Sequence, residues 1–261
     1  MLTADEVTAA AIDAGLAPAS IVVESLDRSG PHIHIDADRY FYPASMIKTP
    51  LAAAAFALVG DGELRLDDRL DVTEANMTAN DKPSPLVPGY VATLQELIEL
   101  AITISDNVAT NMLYDVLDRS RATETVQRRF GLAQTAFYRK LSGSEPLIND
   151  PLWDGVHRNT HNAGDAAKLF ALVARDEVPY AAVLRDILAR QEWNNKLSLG
   201  LRAGDRFAHK TGDTDEVTHD GGIVETENGA SYVVVVYTGL PSSDGSNARF
   251  APFMRAVRKL L

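Results

Sequence analysis

The chain has 261 residues, of which 46% are hydrophobic, and a formal net charge of −11. That is an ordinary globular composition with ample apolar surface to bury. No stretch concentrates Lys and Arg, so nucleic acid and anionic membrane surfaces are disfavoured as partners, and the absence of cysteine excludes a disulfide framework, a thiolate nucleophile and a thiolate metal site. Met1 to Glu6 lacks the basic start and apolar run of an export signal, and no segment is apolar for long enough to span a bilayer. As written, a cytoplasmic location is expected; a processed N-terminus would make it periplasmic or secreted.

In chain order, residues 3–16 are Ala-rich, with Thr3 as a cap and Gly15 near the end, and predict a first helix. Residues 20–26 and 32–36 predict two strands joined through Arg28-Ser29-Gly30-Pro31. His32 and His34 alternate with Ile33 and Ile35 and so share one strand face, a spacing some metal sites use. The sequence suggests no third ligand, and neither metal nor cofactor is expected. Residues 47–59 form the longest uninterrupted apolar helix candidate, ending at Gly60-Asp61-Gly62, and a helix apolar on all sides is a buried one. A Pro-rich loop follows over residues 82–89, long enough to shape a pocket rim.

Thr93-Leu94-Gln95-Glu96 matches a capping box, and Leu94, Leu97, Ile98, Ala101 and Ile102 recur at helical spacing up to Ser105-Asp106-Asn107. A helical pattern resumes at Val108, so a polar corner separates two apolar helices. Residues 123–130 predict another helix with Gly131 as its C-cap, residues 141–160 a long ordered loop, and residues 163–175 and 179–191 two amphipathic helices. Residues 207–212, 219–225 and 230–238 read as strands, the last two joined by an Asn228-Gly229 turn, and residues 248–261 close the chain as a helix.

Strands at both ends and helices between them predict a mixed α/β fold: one antiparallel sheet built from both chain ends and covered by the terminal helices, with an all-helical part between. A single domain over residues 1–261 is expected, with an α/β subdomain at about 1–43 and 193–261 and a helical subdomain at about 44–192. A cleft between a sheet edge and a helical lobe suits a small-molecule substrate, and a monomer is expected.

Ser45 and Lys48 open the apolar helix three residues apart, on one face. Alone, Ser-x-x-Lys is usually a helix cap followed by a snorkelling lysine. Here Ser45-x-x-Lys48 is followed in order by Ser105-Asp106-Asn107 and Lys210-Thr211-Gly212, the triplet of class A β-lactamases and penicillin-binding proteins. The chain resembles that serine hydrolase superfamily, most closely its class A β-lactamase-like members. Tyr42-Pro43-Ala44, Val108-Ala109-Thr110-Asn111, Arg158-Asn159-Thr160 and the strand beginning His219-Asp220-Gly221 extend the resemblance over nearly the whole chain.

A serine hydroxyl is a poor nucleophile at neutral pH and needs a base within reach, which a desolvated neutral Lys48 can be. The resemblance implies Ser45 as nucleophile, Ser105 as proton relay between Lys48 and Lys210, and the backbone N–H groups of Ser45 and Asp213 as oxyanion donors. It further implies Asn107 on the substrate amide, and Lys210, Thr211, Gly212 and Thr214 around the substrate carboxylate. For deacylation, Glu145-Pro146-Leu147-Ile148-Asn149 resembles the family's Glu-Pro-x-x-Asn signature, whereas aligning from Arg139 puts Leu141 where that Glu belongs. Three departures stand out: Asn159 replaces an Asp that pairs with Arg139, His209 replaces an Asp before Lys210, and Tyr232 is read at the place of an Arg that binds the antibiotic carboxylate. The leading expectation is a β-lactamase, or a hydrolase of a related amide or ester, acting through a Ser45 acyl-enzyme. The alternative is a β-lactam or peptide sensor that acylates without turnover.

Overall fold

The computed structural model describes residues 2–27, 30–143 and 148–261. Helix α1 (Ala4–Asp13) begins at a complete capping box, in which Glu6 N donates to Thr3 Oγ1 and Thr3 N donates to the Glu6 carboxylate. Strands β1 (Ala19–Ser25) and β2 (His32–Ile35) pair antiparallel, with Glu24 opposite His32. Ser45 sits in a 3-10 turn, Ala44–Ile47, that runs directly into α2 (Lys48–Gly60). Every residue of α2 from Lys48 to Leu58 is buried, as an all-round apolar helix requires.

Strands β3 (Arg69–Asp71) and β4 (Val91–Thr93) form a separate ribbon at the base of the Pro-rich loop. Three residues each are too few to leave a period in the sequence. Helix α3 (Leu94–Thr103) starts with only half of the expected box: Glu96 N donates to Thr93 Oγ1, but the Glu96 carboxylate accepts from Tyr90 Oη instead. Helix α4 (Asn107–Leu117) is capped by Asp106, and α5 (Arg119–Phe130) begins a full turn before the expected Thr123 because Asp118 caps Arg121 N. Helices α6 (Ala163–Ala174) and α7 (Ala181–Ala189) follow, then β5 (Arg206–Asp213), β6 (Thr218–Glu225), β7 (Ser231–Thr238), a short α8 (Asp244–Asn247) that the sequence pattern does not announce, and α9 (Phe250–Leu260).

The main sheet runs β2-β1-β7-β6-β5, antiparallel throughout, so both chain ends contribute to it and β5 forms the edge. Alternation along β7 separates two apolar clusters. Val234 and Val236 face Val7, Phe250, Phe253 and Met254 of the terminal helices, while Val233, Val235 and Tyr237 face the cluster built on α2 and its helical neighbours.

His32 and His34 are half exposed and flank Glu24, at 3.7 and 3.6 Å from its carboxylate oxygens. Among the described residues no group of three or more His, Asp or Glu side chains is arranged to hold a metal ion, and no helix is long and apolar enough to cross a membrane. Phe253 has no exposed surface at the centre of the terminal-helix cluster. Phe253→Ala should therefore lower unfolding free energy by about 3–5 kcal/mol in urea titrations, and a loss under about 1 kcal/mol would show that this face is not a tightly packed layer.

Candidate active site

The site forms where the sheet edge meets the turn before α2. A Cβ on Gly212 would lie 3.0 Å from both Pro43 O and Met46 Cγ, so only glycine lets β5 approach the turn that carries Ser45 this closely. Ala44 and Ser105, which introduce the two serines of the site, have φ values of 48° and 62°. Non-glycine residues in that region are held there by their surroundings, and such strain gathers at functional sites.

Lys48 has no exposed surface. Its Nζ donates to Ser105 O (2.6 Å), Ser105 Oγ (3.1 Å) and Asn107 Oδ1 (2.7 Å), the full donor capacity of an ammonium; none of these bonds goes to Ser45. Burial pushes the Lys48 pKa down to about 7, against the opposing pull of Asp106 and Asp81. Lys210, equally buried, donates to the same Ser105 Oγ (3.0 Å) and to Thr211 O (2.9 Å), and burial together with the nearby Lys48 charge holds its pKa well below the usual lysine value. With both lysine Nζ groups donating to Ser105 Oγ, its two lone pairs are taken and the hydroxyl proton is left to be donated elsewhere.

Asn107 is fixed from three sides. Its N–H donates to Asn80 Oδ1 (2.6 Å), its Nδ2 donates to Ala79 O (2.8 Å), and its Oδ1 receives Lys48. One turn further along α4, the Asn111 amide clasps Leu141, accepting from Leu141 N (2.8 Å) and donating to Leu141 O (2.9 Å). Leu141 is thereby the loop residue pinned to the helix that carries Asn107. Glu145 lies outside the described residues, and among those described no carboxylate is hydrogen-bonded to Ser45, Lys48, Ser105, Asn107 or Lys210.

Thr214 N donates to Val217 O (2.9 Å), and in an antiparallel ladder neighbouring residues face opposite sides. The N–H of Asp213 is thus turned away from β6, toward the open edge of the sheet. Thr214 Oγ1 accepts from the N–H groups of Glu216 and Val217 within the hairpin turn, and Thr211 is buried.

The departures read from sequence resolve in physical terms. Asn159 cannot form an ion pair; its Oδ1 instead accepts from Tyr138 N (2.7 Å) and Arg139 N (3.0 Å), while the Arg139 guanidinium turns to Ser142 Oγ and the face of Trp153. The buried Arg119–Asp150 pair supplies the ionic tie across the loop. His209 bridges Asp220 Oδ1 (2.8 Å) and Asn194 Oδ1 (3.1 Å). Tyr232 is not beside Lys210. It pairs with Val224 and Ser25 at the far end of the sheet, whereas Lys210 connects through Gly221 to Val235, three positions further along β7. The cation that sequence reasoning missed is Lys196, fully buried, with Nζ 2.7 Å from both Asp213 carboxylate oxygens. It stands in an unpatterned stretch and meets its partner only in three dimensions.

A sequence model of the β-lactamase enzyme family matches residues 3–257. The chain belongs to that family. A curated β-lactamase from Rhodobacter capsulatus is 30% identical over 167 residues, 64% of this chain but 52% of that protein, so the chain spans about half the length of that relative. Among solved structures, an ancestral (GNCA) class A β-lactamase superposes with a TM-score of 0.84 at 27% identity, covering 99% of each chain. A PBP-A variant, solved as its acyl-enzyme complex with penicillin G, superposes at 0.83 and 29% identity, covering 98% of this chain and 96% of that one.

In lysine-specific 13C spectra Lys48 should titrate near pH 7, uncharged above and ammonium below, because burial penalises the charged form. A midpoint above about 10, the ordinary lysine range, would contradict the geometry.

Proposed function

We propose that the chain is a serine hydrolase that opens β-lactams or related amides and esters through a Ser45 acyl-enzyme. The observation that carries this reading is the Ser105 hydroxyl held between two buried lysines, one of them with a pKa near that of neutral solution. Ser45 Oγ attacks the carbonyl as its proton passes to neutral Lys48 Nζ, which must first release one of its present bonds. The resulting oxyanion is received by the N–H groups of Ser45 and Asp213. On collapse the C–N or C–O bond breaks, the leaving atom takes the Ser105 proton, and a neighbouring lysine ammonium restores it. Asn107 holds the substrate amide, and Lys210, Thr211, Gly212 and Thr214 meet its carboxylate.

A second reading, acylation without efficient release, is favoured by one observation: Leu141 occupies the position pinned by Asn111, and a leucine cannot activate water. The PBP-A acyl-enzyme among the structural neighbours is consistent with it. A chromogenic cephalosporin separates the two when absorbance and intact mass are followed together. Steady turnover supports the hydrolase; one added acyl mass with a stalled reaction supports the second reading; if neither is seen, β-lactams are removed as substrates.

If turnover is seen, Glu145 is the candidate deacylating base, and Glu145→Gln should give a burst of one equivalent and then stall. Unchanged turnover in that variant would take Glu145 out of the mechanism. Ser45→Ala and Lys48→Ala should each abolish acylation, with the double variant scarcely worse than either single one, since residues that act as a unit lose their effect together. Strictly additive losses would refute the shared role.

A further inference from the structure

Lys196 is a lysine with no exposed surface that the chemistry above does not use. Its Nζ donates to both oxygens of Asp213 (2.7 Å each) and to His219 O (2.9 Å), which exhausts its donors. Asp213 Oδ1 also accepts from Thr218 Oγ1 (2.9 Å) and Ser242 Oγ (2.7 Å). The carboxylate is therefore tied to β6, to the segment after β7 and to the stretch leading into β5, although about a third of its side-chain surface, 32%, remains exposed. A side chain held from so many directions cannot swing, and its backbone N–H is among those that β5 turns to the open edge of the sheet.

Charge makes the arrangement more than a brace. Attack by Ser45 places a negative oxygen at the Asp213 N–H, within a few ångströms of the Asp213 carboxylate, where the low local dielectric would magnify repulsion. Lys196 cancels that charge from beneath the strand. We propose that Lys196 is a positioning residue for acylation: by pairing with Asp213 it fixes the oxyanion-donating N–H and removes a carboxylate charge that would oppose the developing oxyanion. The proposal rests on the reading that Ser45 is acylated.

The other ionisable groups around Asp213 are Lys210 on its own strand and His219 and Asp220 on β6. Burial pushes the Asp213 pKa up, but the Lys196 charge and the hydrogen bonds from Lys196, Ser242 and Thr218 outweigh it and leave the carboxyl below its ordinary value. In Lys196→Met the burial stays and the cation goes, so this pKa rises. The carboxyl is then neutral in acid and charged at higher pH, and the deficit in acylation relative to the unaltered protein should grow as pH rises.

The test is the rate of labelling by a fluorescent penicillin from pH 5 to 9. Lys196→Met should cost about 100-fold at the alkaline end and much less at the acid end. In an Asp213→Asn background, where there is no charge to cancel, adding Lys196→Met should cost less than about threefold. If the single Lys196 variant fails to fold, this second comparison decides alone: a cost of about 100-fold in the Asp213→Asn background would overturn the proposal. A pH-independent deficit, or an equal cost in both backgrounds, would show a merely structural lysine and overturn the proposal. Absence of label on the unaltered protein would instead overturn the Ser45 reading, and this inference with it.

Discussion

Two lysine side chains with no exposed surface converge on one serine hydroxyl, and the rest of the site is arranged so that this can persist. A buried cation is costly unless it is paired or gives up its proton. Lys48 and Lys210 sit within mutual influence, with the Asp106 charge acting on one and the Asp213 charge on the other. Desolvation prevails over those carboxylates at Lys48. The result is an amine poised between base and acid at neutral pH, beside a hydroxyl whose two lone pairs are already occupied.

The fold supplies that arrangement by bringing distant segments to one edge. Ser45 comes from the turn before the buried helix α2, Ser105 from the corner between α3 and α4, and Lys210 from the outermost strand of a sheet that both chain ends complete. Each support is a local physical device: a glycine where β5 meets the turn, two residues held at positive φ, and the Asn80 side chain and Ala79 carbonyl that fix Asn107. Asn159 shows the same economy of means. An amide cannot replace a carboxylate in an ion pair, but it can accept two backbone N–H groups at once, and the ionic tie moves to Arg119 and Asp150.

Local pattern made much of this legible. The apolar run of α2, the capping residues Thr3 and Thr93, the C-cap Gly131 and the Asn228-Gly229 hairpin are written in contiguous residues, and the structure forms each of those elements. The corner and the strand carry their motif pieces as expected, whereas Ser45 stands in a 3-10 turn just before the helix expected to carry it. Features that depend on a partner far along the chain were hidden: the Asn111 clasp on Leu141, the Lys196–Asp213 pair and the bonds that Asn107 donates to Ala79 and Asn80. Tyr232 went astray for a related reason, since a run of similar residues such as Val233 to Val236 carries no internal marker of register.

Covalent acylation of Ser45, activated through Lys48 and Ser105, is the step on which the proposed function stands. Peptide mapping by mass spectrometry after exposure to penicillin G at neutral pH tests this most directly. A single penicilloyl adduct is expected on the peptide containing Ser45, carried by the Ser45 oxygen. An adduct on any other residue, with Ser45 unmodified, would contradict it.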